Sequence, residues 1–422
     1  MRVLHPGFWN RGAGPDFRGA IFQIERDPPV SGDVEVDLHS SGWRGHQHDR
    51  NPNFSNVRLH VVWDGEANTS IPTLALKYVI DAPLAELALW LTSDVANAYP
   101  EQLLGQCASP LRNVSAPQIE QLLNEAALVR LQRKAADLRA RARQAGWEQA
   151  LWEGMLRALG YQRNVWPMQR IGELRERLRS EARSTVSLQA RFLGVSGLLP
   201  HDLTRRQCGA DTYLRMVWDQ WWRERDAFGD CALPKNLWQL HGLRPANHPQ
   251  RRLALAAHWA SDGTLFARID RWLTEAPSRK ELSESLLETL QPEKDPFWSR
   301  HWTLRSATMP KPQPLVGATR VTDLAINVLL PWFWARAREG DNRRLQLEAE
   351  RRYFAWPAAE DNAVLRLARV RLLGGRKSVR FAGASGQQGL LQIVRDFCDH
   401  SNALCADCKF PELVRNWRAG AG

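Results

Sequence analysis

Residues 32–39 read GDVEVDLH, and this alternation constrains the chain more than any other segment. In an extended strand successive side chains point to opposite faces. Val34, Val36 and Leu38 therefore share one face, and Asp33, Glu35, Asp37 and His39 share the other. Three carboxylates on one face repel unless something cationic sits among them. No Lys or Arg occurs between Arg26 and Arg44. Two readings follow. A divalent cation neutralises the face, for which hard oxygen ligands suit Mg²⁺ or Mn²⁺. Alternatively, the face is the solvated outside of an edge strand, guarded against aggregation.

The surrounding sequence fits a sheet. Short β-prone runs at 20–24, 33–39, 57–63 and 74–80 are separated by Gly, Pro, Asn and Asp. After Asp81 the apolar period becomes helical. Ser115 and Pro117 mark the start of a helix reaching about Ala145, whose polar face carries Arg130, Arg133, Lys134, Arg139, Arg141 and Arg143. Further helices are expected near 148–160, 167–182, 186–198, 210–227, 247–260, 320–338, 341–355 and 388–398. The Pro-rich stretches at 310–314 and 277–296 read as linkers. The expected fold is α+β: a small α/β module over 1–100, a basic helical region over 101–310, and a helical C-terminal region over 315–422.

Five of the eleven histidines fall in the first 60 residues. His46 and His48, in WRGHQHD, are spaced so that an extended chain can bring both to one metal. His60, in VRLHVVW, reads instead as a buried histidine bonded to the backbone. Trp43 is a candidate for contact with a ligand. The tryptophans of the 218–222 segment, at helical spacing, read as core.

Asp16 on one strand and Glu35-Val36-Asp37 on the next resemble the PD-(D/E)xK nuclease pattern. That resemblance implies a restriction-endonuclease-like module. In it, Asp16, Glu35 and Asp37 would bind Mg²⁺ or Mn²⁺, assisted by His46 and His48, and hydrolyse a phosphodiester. The pattern's lysine is replaced here by Asp37; His39 or Lys77 would have to supply its role. More broadly, HPGFWNRGAGPDFRGA, the block from GDVEVDLH to HVVW, GLRPANHPQRRLA and the terminal cysteines resemble the bacterial domain-of-unknown-function family 2851. That resemblance implies sequence, including a helix, ahead of the HPG element.

The net charge of +11 is uneven: residues 1–100 hold 12 acidic against 8 basic side chains, so the remainder carries +15. A basic body suits DNA or RNA, although 49 of the 57 basic residues are Arg, which genomic base composition also favours. Arg244, Asn247 and Arg252 gather around two prolines before a helix and would bind phosphate; alternatively, Asn247 caps that helix. Cys398, Cys405 and Cys408 form C-x6-C-x2-C, a nucleus for Zn²⁺ or an iron–sulfur cluster, with Cys208, Cys231 or His400 as the fourth ligand. No run of 18 apolar residues occurs and the start is unlike a signal peptide, so no membrane association and a reducing cytoplasm are expected. The functional expectation is a metal-dependent nucleic-acid phosphodiesterase. The alternatives are a non-catalytic nucleic-acid-binding or scaffold protein on a degenerate nuclease-like fold, or a protein-interaction module with a structural metal.

Overall fold

The computed structural model describes residues 1–5, 8–9, 14–25, 27–66, 70–80, 105–161, 163–182, 184–203, 212–240, 243–275, 281–360, 363–374, 381, 383–398 and 408–419. The chain divides into two compact units, Met1–Leu84 and Ala85–Gly422. The first is built on a sheet and the second is mostly helical, giving an α+β protein.

The sheet contains β1 (Arg2–His5), β2 (Phe8–Trp9), β3 (Phe17–Gln23), β4 (Val30–His39), β5 (Val57–Asp64) and β6 (Thr73–Ala75). Its order is β1-β3-β4-β5-β6, with β2 also on β3. β3 and β4 are antiparallel, whereas β4 and β5 are parallel and joined by a crossover through the short helix Gly42–Gly45. β4 therefore lies inside the sheet, with a partner on each side. The edge-strand reading of its acidic face is overturned, because Asp33 and Glu35 are buried.

Alternation sorts the faces as expected. Ala20, Phe22, Val34 and Leu59 pack together on one side, backed by Phe17, Ile24, Val61 and Leu74. On the other side Glu35 pairs in register with His60, and Asp37 with Val62. Asp33 braces the backbone. The β3–β4 register shifts between Phe17 and Ala20, and the Gly19 amide in that irregularity donates to Asp33 Oδ1 at 2.9 Å. The run at 74–80 is only partly strand. After Ala75 the chain turns into the 3-10 segment Leu76–Tyr78, which removes Lys77 from the ladder.

In the second unit the long helix is Ala116–Ala145. Ser115 caps it, with Gln118 returning the bond in a capping box. One large core runs from Ala127 to Ala384 and includes residues on both sides of the prolines at 310–314. A smaller core joins Cys107, Leu111 and Ile119 to Leu372, Leu390 and Phe410.

Buried arginines organise this unit. Arg251 donates to the carbonyls of Trp298, His301 (2.8 Å), Gln313 (2.9 Å) and Pro314 (3.0 Å), and Arg252 to that of Leu315 (2.8 Å). Asn247 Oδ1 accepts from Arg252 at 2.8 Å and Arg320 at 2.9 Å. Asn247 is thus not the cap of Pro249–Ser261. His248 is, through Nδ1, which burial keeps neutral by lowering its pKa to about 4. Arg252 and Asn247 are corrected from phosphate ligands to internal fasteners; only Arg244 remains exposed, paired with Glu360 at 3.3 Å. Part of the basic helix face is similarly engaged. Arg141 bonds Glu153 at 2.6 Å, Arg130 bonds Gln388 at 2.8 Å, and Lys134 bonds Gln388 at 2.9 Å.

Arg251→Met should lower the unfolding free energy in urea titrations by about 3 kcal/mol or more, because it strands several buried carbonyls. Arg244→Ala should change it by less than about 0.5 kcal/mol. Equal effects would show that the buried contacts do not hold the segment.

Candidate metal centre

The crossover between β4 and β5 builds the site. It leaves β4 at His39, makes the helix Gly42–Gly45 and a series of turns, then passes through the 3-10 segment Pro52–Phe54 into β5. Its apolar residues Trp43 and Phe54 form a small cluster with Val57 at the start of β5. Gly42 is required where the loop crosses β4: a Cβ there would stand 2.7 Å from the Asp37 carboxylate carbon. His46 and His48 do not share the site by extension of the chain. Gln47 between them adopts φ +59°, a left-handed kink uncommon outside glycine, and the His48 amide bonds the Trp43 carbonyl at 3.0 Å.

That kink brings Asp37, His46 and His48 together, each offering a ligand atom within 4.8 Å of the others. His46 Nδ1 lies 3.2 Å from Asp37 Oδ1. The other Asp37 oxygen meets His60 Nε2 at 3.0 Å, and His60 is fully buried. His60 is therefore not bonded through this nitrogen to the backbone; it fixes the Asp37 carboxylate. Trp43, buried, packs on His60 and His48 at ring distances of 5.4 and 5.5 Å, and Phe54 stacks on His48 at 3.9 Å. Trp43 is corrected from a ligand contact to the floor beneath the imidazoles.

Glu35 and Asp16 interlock beside this group. The Asp16 amide donates to Glu35 Oε2 at 3.1 Å, and the Val36 amide donates to Asp16 Oδ2 at 3.0 Å. Glu35 Oε1 lies 3.1 Å from His48 Nε2, but neither ring nitrogen of His48 makes a well-aligned hydrogen bond. Burial, then the neighbouring Asp16 and Asp37 charges, raise Glu35 to about 7, against hydrogen bonding that lowers it. Burial pulls His48 below its ordinary 6.5, partly opposed by Asp37.

Of the expected acidic and histidine ligands, Asp37, His46 and His48 converge, while Asp16 and Glu35 sit alongside. His39 and Lys77 do not join them. His39 is exposed at the end of β4, opposite Asp64. Lys77 is bound to Asp64 at 2.7 Å, an oxygen pair completed by Tyr78 at 3.1 Å. Two features escaped sequence reading: the His60 bond to Asp37, whose signal was the in-register position opposite Glu35, and the pair Arg44 and Arg50, exposed on either side of the two histidines. At the other cysteine-bearing end, Cys398 and Cys408 border one cavity, and Cys405, with Cys208 and His400, lies outside the described residues. Cys231 is elsewhere, packed against the large core.

The donors are chemically suited to a divalent ion. Two imidazoles, one of them neutral and without a hydrogen bond, plus one carboxylate favour Mn²⁺ or a later transition metal over Mg²⁺. Among the described residues no helix is long and apolar enough to cross a membrane. The model of a family described as a protein of unknown function matches residues 1–362. No curated protein and no solved structure matches the chain.

Glu35 carries a pH signature. Its proton is held in the folded state up to about pH 7 but leaves the unfolded chain near 4.5, so its contribution to stability falls as pH rises across that window. His48 works in the opposite sense, its contribution growing as pH rises towards 6.5. Without added metal, Glu35→Gln should therefore gain stability over wild type at pH 8 compared with pH 5, by at most about 3 kcal/mol in denaturant titrations. Parallel pH profiles for the two proteins would refute the assignment.

Proposed function

The chain belongs to the DUF2851 family, and we propose that its sheet unit is a metal-dependent phosphodiesterase acting on nucleic acid. One observation carries this reading: Asp37, His46 and His48 meet within 4.8 Å beside Glu35, a carboxyl that exchanges its proton near pH 7. A divalent ion held by the first three supplies Lewis acidity and charge neutralisation at a phosphate. Mn²⁺ fits the nitrogen-rich donors better than Mg²⁺.

The chain's own residues take the remaining roles. His60 holds Asp37 in one rotamer through Oδ2. Trp43 and Phe54 wall the imidazoles from beneath. Glu35 is placed to accept or return a proton at Oε1, the oxygen facing His48, since Oε2 is engaged by the Asp16 amide. Asp16 sets this balance, since its charge raises Glu35 while its amide steadies it. Arg44 and Arg50, exposed on the histidine loop, offer cationic groups to a polyanionic backbone. The sheet arrangement of Asp16 before β3 and Glu35-x-Asp37 on the antiparallel β4 supports the nuclease-like comparison.

A second reading, a non-catalytic nucleic-acid-binding fold, is favoured by one specific observation. The only lysine of the first unit, Lys77, is tied to Asp64 and not to the acidic group.

Cleavage assays on single- and double-stranded DNA and RNA with Mn²⁺ or Mg²⁺ separate the two. The expected result is Mn²⁺-preferring cleavage that Asp37→Ala and His48→Ala each reduce by about 100-fold or more. Arg44→Ala should weaken binding and reduce its salt dependence by about one ion. Salt-sensitive binding with no cleavage under any metal would establish the second reading; neither binding nor cleavage would exclude both.

A further inference from the structure

The tryptophans at 218–222, expected in the core from their helical spacing, divide between two faces of the helix Thr212–Glu224. Leu214 and Val217 are buried, and Trp221 packs against the large core, where a Cβ at Gly194 would collide with its ring. Trp218 and Trp222 lie on the neighbouring stripe and stack on each other, with ring centroids 4.8 Å apart and planes 14° from parallel. Trp222 remains 40% exposed. The Arg225 guanidinium, from the 3-10 segment Arg225–Phe228, lies 3.4 Å from the Trp222 ring centre. Two indoles and a guanidinium thus form one column at the surface of the second unit.

The column is held in place by its neighbours. Trp218 Nε1 donates to the Pro200 carbonyl at 3.1 Å, which orients its indole, and Trp221 anchors the helix from the buried side. Exposed aromatic side chains held in this way are typical of binding surfaces, because little freedom is lost when a partner arrives. The charge around the column is cationic and weakly balanced. Arg225 pairs at 3.4 Å with Asp226, a neighbour that is almost fully exposed, so the contact carries little energy. Arg223 is exposed and makes no ion pair among the described residues. The other charges of the helix are matched: Arg215 by Asp219 at 3.0 Å, and Glu224 by the buried Arg191 at 2.6 Å.

We propose that Trp218, Trp222 and Arg225 form a stacking platform for unpaired bases of a single-stranded nucleic acid. The occupant must be planar and anionic. Indole and guanidinium faces both stack on bases without regard to sequence, and the in-plane N–H groups of Arg225 remain for a phosphate. Arg223 adds a second cation for the backbone. A duplex fits less well, since its base faces already cover one another and only an unpaired strand presents them. A neutral glycan would stack on the indoles but leave both arginines unanswered. This inference deepens the nucleic-acid reading above, on which it rests, by naming the strand the helical unit holds; it uses no residue of the metal centre.

The test uses the full chain in a metal-chelating buffer, so that strands are bound and not cut. Fluorescence anisotropy follows labelled single-stranded DNA and RNA, and a duplex of the same sequence. Single strands are expected to bind more tightly than the duplex. Trp222→Ala should weaken single-strand binding by about tenfold and change duplex binding by less than about twofold, and Trp222→Phe should restore much of the loss. Circular dichroism confirms the fold of each variant. Should Trp222→Ala not fold, the exposed Arg225→Ala decides, with an expected loss of about threefold on single strands alone. Unchanged single-strand binding in these variants, an equal loss on single strands and duplex, or binding of an oligosaccharide in place of the strand would each overturn the platform. No binding of any strand would overturn it together with the nucleic-acid reading. Single-strand binding that depends on Trp222, in a protein that cleaves nothing with any metal, would leave the platform standing and remove the phosphodiesterase.

Discussion

The guanidinium of Arg251 is the contact on which the helical unit most depends. Its donors reach four carbonyls of an irregular segment that has no helix or strand of its own to satisfy them. Only a planar, always-charged fork with several N–H groups can serve so many acceptors from one buried position, which a lysine could not do. Arg252, Arg320 and Arg352 repeat the device, Arg352 reaching the carbonyls of Trp272 and Leu273 at 2.7 and 2.9 Å. Burial lowers Arg251 to about 10 and Arg252 to about 9, so both remain charged at neutral pH. The net charge of +11 is therefore in part an interior framework and overstates the surface offered to a polyanion.

The sheet unit uses a different economy of contacts. Asp37 is held from below by His60 and approached from above by His46, and each of its oxygens has one imidazole. The same strand carries Glu35 two residues earlier, on the same face and similarly buried, but beside the Asp16 carboxylate. Two carboxylates separated by one residue thus acquire different characters: one fixed between histidines, the other raised towards neutrality. Such divergence of environment is how a fold obtains distinct acid–base roles from similar groups.

Much of this was legible because strands alternate strictly. Glu35 and Asp37 had to share a face, and the apolar set had to face away, whatever the tertiary arrangement. The helix from Ala116 was legible from Ser115 and Pro117, whose capping chemistry is local. What failed was long-range. Whether β4 is internal depends on β5 returning parallel after a crossover. The Asn247 side chain goes to Arg252 and Arg320, and Arg320 is remote in sequence, so no local rule could withdraw it from the capping role. Lys77 was misplaced because a strand-like composition gave way to a 3-10 turn after Ala75. Cys107 lines the same cavity as Cys398 and Cys408, and no spacing in the sequence signals it.

The two clusters differ in when a growing chain can assemble them. All residues of the sheet site lie between Asp16 and His60, so its contacts close over short loops and are available early. The cysteine cavity requires a segment near position 107 to wait for Cys408, through nearly all of the helical unit. During synthesis the first can mature as the ribosome continues, while the Gly105–Cys107 segment remains without its Arg371 acceptor until the helix Ala363–Leu373 has emerged. The apolar groups around it stay uncovered for that interval, which leaves this junction open to mispairing in a nascent chain.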